Sequence, residues 1–348
     1  MRVHHLDRPI RHSPVIHPLT IRHPSIVPAP AFNTAPRPPA TIDDVRIRLL
    51  LILVMALWGS AFASSKLAVR EVPHEVAGFL RFLIGTIALV VVLRLPRLRP
   101  RDAARVGGLG LVGVFGYNVC FFLGLSLAPA ADGSVIVPMC APVVTLVVTA
   151  LLGRTAITPT RAAGLTAAVV GGVVFFIGIP DSGGNRLLGD LIFLGAAVCW
   201  AAYTILGAPI LSRLSAPTVT VYATAAGSSA LGLFATPEFA RVDWTGLGLE
   251  FWLNQAYLGI LPTALAYVLY YRAVGQVGPA VAASAMFLVP AFGLACAWVL
   301  LGESIAPVQA AGAALMFVGA WLNSRSVKPK TIVPPEVTEE PSSRAVRA

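Results

Sequence analysis

LLGESIAPVQAAGAALMFVGA occupies residues 300–320, and a closely similar phrase, LLGRTAITPTRAAGLTAAVVGG, occupies residues 151–172. Each phrase begins with Leu-Leu-Gly and a charged residue, reaches a proline a few residues later and then continues as an apolar run. Arg154 in the earlier phrase stands where Glu303 stands in the later one. Each run approaches the ~20 residues that a helix needs to cross ~30 Å of hydrocarbon. The two phrases therefore predict membrane helices and an internal repeat.

The two copies share one register over their second halves. A shift of 148 residues (290 minus 142) aligns six identical pairs: Pro142 with Pro290, Pro159 with Pro307, Ala162 with Ala310, Ala163 with Ala311, Gly164 with Gly312 and Gly171 with Gly319. Farther upstream, Trp58 and Trp200 lie 142 residues apart (200 minus 58), so the register slips by a few residues. The sequence therefore predicts two copies of five helices each. Because five is odd, the second copy must be inverted in the membrane, which is a transporter architecture.

The composition excludes an ordinary soluble protein. Of 348 residues, 56% are hydrophobic and only 12% are charged, whereas soluble domains carry about 25% charged residues. The formal charge of +10 lies in tails and short connections, which is typical of membrane orientation rather than of nucleic-acid binding. We therefore expect a lipid bilayer and a small-molecule substrate as partners and no nucleic acid.

The apolar runs predict an all-α polytopic membrane protein with ten transmembrane helices. The predicted spans are 49–66, 76–93, 106–127, 133–152, 160–179, 187–206, 216–235, 251–271, 279–301 and 306–323. The predicted domains are a tail at 1–46, a first repeat at 47–180, a second repeat at 186–324 and a tail at 325–348. The connections are short, so the work of the protein is expected among the helices.

Both tails are predicted to be disordered. The first is rich in proline and carries five of the six histidines, without the ordered spacing of a metal site; they are His4, His5, His12, His17 and His23. We predict no metal and no cofactor. The sequence leaves the oligomeric state open, with a homodimer among the alternatives.

The distribution of lysine and arginine predicts the orientation. With the N-terminus inside, 21 of the 26 Lys and Arg residues fall in inner segments and four in outer ones, while Arg81 lies inside a span. Basic residues favour the cytoplasmic side. Both termini are therefore expected in the cytoplasm of a cell membrane. The inverted repeat then puts Arg154 in an inner connection and Glu303 in an outer one, which accounts for the reversed charge.

Several motifs, taken in order, resemble those of the drug/metabolite transporter superfamily, specifically its ten-helix EamA-type members. They are LWGSAF at 57–62, RFLIG at 81–85 and the two LLG…P…AAG phrases that end the repeats. The resemblance covers residues 47–324 and departs at Arg154, because both repeats of the family often end in an LLGE-type phrase. It implies secondary transport of small metabolites across the inner membrane, often efflux of amino acids or related compounds.

Two tryptophans are the leading candidates for a substrate cavity. Trp58 and Trp200 lie deep in their spans, although membrane tryptophans usually gather at the interfaces. Tyr203 and Thr204 follow Trp200 by three and four positions, so they can share its helix face. The alternative for these residues is packing or contact with lipid.

Other polar residues in the spans are further cavity candidates. Arg81 either attracts an anionic group of a substrate or snorkels to the outer interface, with snorkelling slightly favoured. Asn118 either joins helices or contacts the substrate. Tyr267 lies deeper than the tyrosines that follow it, and is therefore the better cavity candidate among them.

Prolines are the candidates for hinges, and carboxylates are the candidates for coupling. The matched pair Pro142 and Pro290 predicts hinges, with plain kinks as the alternative. No Asp or Glu lies at the middle of a predicted span, so a deeply buried proton relay is not supported. Asp132 and Glu303, at span ends, are the remaining candidates for coupling.

Two other classes of function are less well supported. An intramembrane enzyme requires clustered nucleophiles or metal ligands at depth, which the spans lack, so no catalytic residue is predicted. The GLGLVG stretch at 108–113 has glycine spacing of a dinucleotide site, but it opens a membrane span rather than following a strand. A non-transporting scaffold or sensor is the second alternative.

Overall fold

The computed structural model describes residues 42–93, 97–153, 157–178, 185–211, 213–277 and 285–325. Every regular element in these ranges is a helix. The α-helices are α1 (Ile42–Glu71), α2 (His74–Val92), α3 (Pro100–Gly110), α4 (Tyr117–Leu127), α5 (Ala130–Leu151), α6 (Pro159–Ile177), α7 (Arg186–Leu211), α8 (Ala216–Ala235), α9 (Leu249–Leu258), α10 (Ala266–Val277), α11 (Val289–Leu301) and α12 (Pro307–Arg325).

Two π-helical segments interrupt long helices at matching places. π1 (Leu111–Gly116) joins α3 to α4, and π2 (Gly259–Leu265) joins α9 to α10. Their first residues are 148 apart (259 minus 111), which is the register of the repeated phrases. Pro262 lies inside π2 and lacks the N–H that a regular helix would use. Such segments frequently occur at functional sites.

The described helices suit a membrane. Seven helical stretches are long and apolar enough to cross one: Arg46–Glu71, His74–Val92, Pro100–Leu127, Ala130–Leu151, Pro159–Ile177, Arg186–Leu211 and Ala216–Arg241. Two shorter apolar stretches cover Ala285–Leu301 and Pro307–Gly319. The predicted eighth span falls on the helical run of α9, π2 and α10. The chain is thus an all-helical, multi-pass membrane protein.

Several helix ends differ from the predicted ones. α1 begins at Ile42, inside the segment 1–46 predicted as a disordered tail, and α3 begins at Pro100 rather than at 106. A helix can continue past the hydrocarbon into water, so counting apolar residues misses its polar first turns. The rest of both predicted tails, residues 1–41 and 326–348, lies outside the described residues.

The predicted ninth span, 279–301, is not one continuous α-helix. Residues 285–288 form a 3₁₀ turn, and the α-helix begins only at Val289. Pro290 in the first helical turn accounts for this start, because its fixed φ suits a helix N-terminus better than a helix interior. Residues 279–284 lie outside the described ranges.

The LLG phrases end two helices in the same way. Gly153 follows α5 and Gly302 follows α11, and both have φ near 67°. This left-handed conformation is open to glycine at little cost and stops a helix. Arg154, the predicted counterpart of Glu303, lies outside the described residues.

Helices α6 and α12 pack face to face through glycines. A Cβ on Gly171 would lie 2.7 Å from the Gly312 carbonyl oxygen, and one on Gly319 would lie 2.5 Å from the Gly164 carbonyl oxygen. Small residues let membrane helices approach this closely. The contacts are reciprocal, since the 148-residue shift converts Gly164 into Gly312 and Gly171 into Gly319.

The same reciprocity recurs in the interior. Gly85 of α2 packs against Thr263 in π2, and Gly227 of α8 packs against Val114 in π1. Helix α1 packs on α11, and α7 packs on α5. These contacts enclose a core rich in phenylalanine and small side chains, including Phe121, Phe122, Phe175 and Phe193. A cavity lies beside this core.

Candidate functional site

The cavity lies between helices from both halves of the chain. About 650 Å³ of empty space lies within it, a volume that includes open solvent. Its lining comes from α1, α2, α4, α5, α7, α10, α11 and the 3₁₀ turn before α11. The lining residues are Trp58, Ala61, Phe62, Arg81, Phe82, Tyr117, Phe121, Val137, Pro138, Ala141, Trp200, Tyr267, Met286 and Val289.

Two aromatic clusters contribute rings to the cavity wall. In the first, the Trp58 ring lies 5.7 Å from that of Tyr267 and 5.1 Å from that of Tyr270, measured between centroids. In the second, the Tyr117 ring lies 5.5 Å from Trp200 and stacks on Phe121 at 5.7 Å. Such rings offer apolar faces and polar tips to a ligand.

A hydrogen bond from α1 to π2 fixes Trp58. Its Nε1 donates to the Pro262 carbonyl oxygen at 3.0 Å. A π-helical segment departs from the regular backbone hydrogen-bond pattern of an α-helix, and here its Pro262 carbonyl oxygen accepts a side-chain hydrogen bond inside the bundle. Sequence reasoning missed Pro262, although a proline and a glycine within one predicted span signal irregular backbone.

Arg81 projects into the same cavity. Its side chain is only 8% exposed, so the snorkelling that the sequence slightly favoured is wrong. Arg81 Nε donates to Thr263 Oγ1 at 3.2 Å and Nη1 to Ser65 Oγ at 3.3 Å. Its Cζ lies 5.5 Å and 5.7 Å from the ring centroids of Phe82 and Phe121. The guanidinium is thus held by neutral groups.

The structure brings four of the seven predicted cavity residues to the lining: Trp58, Arg81, Trp200 and Tyr267. The other three lie elsewhere. Asn118 is buried, and its Nδ2 donates to the Val114 carbonyl oxygen at 2.6 Å within π1. Tyr203 packs on Trp200 and against Gly113. Thr204 is exposed, and its hydroxyl bonds to the Trp200 carbonyl oxygen of its own helix.

The predicted hinge prolines differ in setting. Pro142 lies inside α5, as does Pro138, which lines the cavity. Pro290 lies next to the cavity residue Val289. Both predicted hinges therefore neighbour the cavity wall, one within a helix and the other at a junction between two kinds of helix.

A second set of polar side chains surrounds Asp132, near the N-termini of α5, α7 and α12. We call this set the carboxylate cluster. Its members are Asp132, Asp190, Arg186, Gln309, Glu303 and Lys66. Asp132 Oδ2 accepts from Arg186 Nε at 2.8 Å, and Oδ1 accepts from Arg186 Nη2 at 3.0 Å. Gln309 Nε2 donates to Asp132 Oδ1 at 3.3 Å. Asp132 is fully buried, so this bidentate ion pair is shielded from water.

Glu303 and Lys66 complete the carboxylate cluster. Glu303 Oε2 accepts from the Ala131 amide at 2.9 Å, so it caps the N-terminus of α5. Lys66 Nζ donates to the carbonyl oxygens of Leu125 and Ala128 at the C-terminal end of α4. Of the six cluster members, sequence reasoning had singled out only Asp132 and Glu303. The charge of Asp190 within the apolar run of α7 was the available signal. Among the described residues no group of three or more metal-binding side chains occurs.

A multi-pass helical membrane protein whose helices enclose an aromatic cavity with a buried cation has the form of a membrane transporter. The profile of the EamA-like transporter family matches residues 46–177 and, a second time, residues 187–325. The chain belongs to this family.

The alignments with curated relatives cover most of the length of each relative. A transporter of uncharacterised function from Archaeoglobus fulgidus is 27% identical over 79% of this chain and 97% of its own. A probable terminal-alkyne amino-acid exporter from Streptantibioticus cattleyicolor is 27% identical over 79% and 92%. A probable amino-acid metabolite efflux pump from Salmonella typhimurium is 24% identical over 79% and 93%.

A solved crystal structure shares the fold. It superposes with a TM-score of 0.56 at 22% identity, covering 80% of this chain and 96% of that one. Its similarity therefore supports the arrangement of the helices alone.

Proposed function

We propose that this protein is a secondary transporter that exports small carboxylate-bearing metabolites of the amino-acid type, and that it binds them in the cavity beside Arg81. The buried Arg81 guanidinium carries this proposal. No carboxylate among the described residues forms an ion pair with it. A cation buried in a membrane calls for an opposite charge, and the hydroxyls of Ser65 and Thr263 that bond Arg81 supply none.

A substrate carboxylate meets that requirement. The guanidinium fork matches a carboxylate through two parallel hydrogen bonds. The surrounding rings of Trp58, Tyr117, Trp200 and Tyr267 offer apolar faces for the rest of the molecule. The names of the amino-acid exporter and the amino-acid efflux pump among the relatives support the same substrate class.

The proposed architecture is ten spans in two inverted five-helix repeats. Three observations support it: the family profile matches twice, the π segments share the 148-residue shift, and the glycine contacts are reciprocal. Two related halves that can exchange conformations have two states of similar energy. Alternating access of the cavity follows from this near-equivalence.

The proposed orientation has both termini in the cytoplasm of the cell membrane, as the excess of inner arginines favours. The carboxylate cluster then lies at the outer end. There Asp132 of the first half binds Arg186 and Gln309 of the second. These contacts hold the outer end closed, so the described state would receive substrate from the cytoplasm.

Removing the charge of Arg81 tests the substrate class. In proteoliposomes loaded with a panel of amino acids and the matching decarboxylated amines, we expect the wild type to move acids and not amines. Arg81→Gln should lower transport of the acids by at least ~10-fold, equivalent to about 1.4 kcal/mol. Arg81→Lys should retain part of it, because a point charge replaces the bidentate fork.

Arg101→Gln is the matched control, because Arg101 is exposed at the start of α3. It should transport like the wild type. Equal transport by Arg81→Gln and the wild type would contradict carboxylate binding at this site. Transport of neither acids nor amines by the correctly inserted wild type would contradict the proposed substrate class as a whole.

A further inference from the structure

Asp190 is a buried carboxyl group without a hydrogen-bond donor. It lies in the second turn of α7 and is 0% exposed. Among the described residues no N–H group or hydroxyl donates to its oxygens, and its neighbour at hydrogen-bonding range is the carboxyl group of Asp132. It lies beside Asp132, close enough for the two groups to interact electrostatically. Arg186, the nearest cation, uses both its Nε and its Nη2 on Asp132.

A proton bound to Asp190 removes the unfavourable buried charge. An ionised carboxylate that is buried without a donor is unstable, and a second carboxylate beside it makes the charge still less favourable. In the carboxylate cluster, Asp132, Glu303 and Asp190 face two cations, Arg186 and Lys66, while Arg70, exposed at the end of α1, acts on Lys66. One proton on Asp190 balances the charges of the cluster itself.

The neighbouring elements leave few other charges to consider. α5 contributes Asp132, α12 contributes the neutral Gln309, and α7 itself contributes Arg186. α4 has no Asp, Glu, Lys or Arg along its length. Beyond these, Lys66 of α1 acts on Asp132 and Glu303, and the exposed Arg70 acts on Lys66. The charged residues of α3 belong to a helix that packs on the opposite end of α7, where Leu109 meets Gly207. Asp190 is therefore the member of the cluster that lacks its own cation.

We infer that Asp190 is a proton-binding residue of the transport cycle, whose protonation keeps the outer end of the protein closed. This inference rests on the proposed function and orientation. In the closed state the proton is on Asp190 while Arg186 binds Asp132. When α5 and α7 separate, Arg186 loses Asp132 and turns to Asp190, which lies one helical turn along the same helix. Asp190 then gives its proton to the outer water, and the reverse transfer accompanies closing.

The position of the cluster suits this role. On α7, Asp190 lies ten residues before Trp200, which is about 15 Å along the helix. On α5, Asp132 lies five residues before Val137, or about 8 Å. Both helices thus connect the proton site to the cavity wall. A separation of their N-termini opens the cavity to the outer side.

Cysteine accessibility measures the opening without any substrate. Cys120, Cys140, Cys199 and Cys296 are first replaced by alanine, and Ala141 in the cavity wall is changed to cysteine. A membrane-impermeant thiol reagent is added outside intact cells between pH 5 and 9. Each rate is divided by that of a cysteine placed at the exposed Thr245 and measured at the same pH, because the thiolate fraction of any cysteine also rises with pH. Labelling, taken as this ratio throughout, should accelerate as the outer pH rises, by up to ~10-fold per pH unit for one proton, across the titration of Asp190.

Two substitutions should shift the response in opposite directions. Asp190→Asn imitates the protonated group, so labelling should stay slow at every pH. Asp132→Asn removes the competing partner of Arg186, so labelling should be fast even at acid pH. Glu250→Gln, at an exposed carboxylate in the first turn of α9, should follow the wild type.

Labelling of Asp190→Asn that still rises with pH like the wild type would overturn the inference. So would wild-type labelling that depends on sodium rather than on pH, which would make the cluster a metal-cation site. Because no substrate is present, these outcomes are independent of whether amino acids are transported. Loss of transport in Arg81→Gln with normal pH-dependent labelling would separate the two proposals.

Discussion

At the scale of single residues, the sequence indicated that Arg81 and Asn118 need partners within the protein, and both are buried, but it did not give the direction in which each side chain points. Trp58 and Arg81 were recognised as candidates because a polar or bulky aromatic side chain is unusual deep in an apolar run. Asn118 was assigned to the cavity on the same ground, yet its neighbour Tyr117 lines the cavity instead. Asn118 is the second residue after π1, and a π turn contains more residues than an α turn, so regular helical spacing does not give the face on which Asn118 lies.

Trp58 offers a test of one hydrogen bond. Trp58→Phe keeps most of the ring but removes the donor to the Pro262 carbonyl oxygen. We expect the free energy of unfolding to fall by about 1 to 3 kcal/mol, because a buried acceptor is left unsatisfied. Thermal unfolding in detergent measures this.

Trp298→Phe is the control, since Trp298 is exposed in α11. Its effect should stay within about 0.5 kcal/mol. A Trp58→Phe protein as stable as this control would show that the Trp58 bond contributes nothing to the fold.

At the scale of helices, packing depends on which glycine faces a neighbour. α6 carries Gly171 and Gly172 in succession, and residue type alone does not distinguish them. A Cβ on Gly171 would lie 2.5 Å from the Met316 backbone nitrogen, while one on Gly172 would meet no atom within 4 Å. The 148-residue shift, which pairs Gly171 with Gly319, was the signal that separated them.

The two glycines make a matched pair of substitutions. Gly171→Ala should lower the free energy of unfolding by about 1 to 3 kcal/mol, because backbone atoms of α12 cannot move aside cheaply. Gly172→Ala should be neutral or stabilising by up to about 1 kcal/mol, since alanine favours the helix. Thermal unfolding of both variants in detergent provides the comparison. Equal effects would contradict the close contact between α6 and α12.

At the scale of the whole molecule, apolar length and internal similarity were enough to predict a multi-pass helical bundle. The helix ends at Ile42 and Pro100 were not predicted, because the hydrophobic signal stops where the hydrocarbon stops while the backbone continues as helix. The carboxylate cluster also escaped notice in part. Asp190 and Gln309 lie 119 residues apart in sequence (309 minus 190), and only the fold brings both to Asp132.

The orientation of the molecule is testable with two exposed positions. Cysteine at Ser304, in the connection between α11 and α12, should react with an impermeant thiol reagent added outside intact cells. Cysteine at Arg101, at the start of α3, should react only after the membrane is permeabilised, because the positive-inside bias places it in the cytoplasm. Both residues are exposed. The reverse pattern would contradict the proposed orientation and place the carboxylate cluster inside.

The pair formed by α6 and α12 contributes no residue to the cavity lining. The two helices still hold each other closely through their glycines. The helices that line the cavity are therefore different from this closely packed pair. A fluorophore, an affinity tag or a selected binding protein attached at the exposed first turn of α6, for instance at Thr160, would follow the protein through its cycle without changing which molecules it accepts.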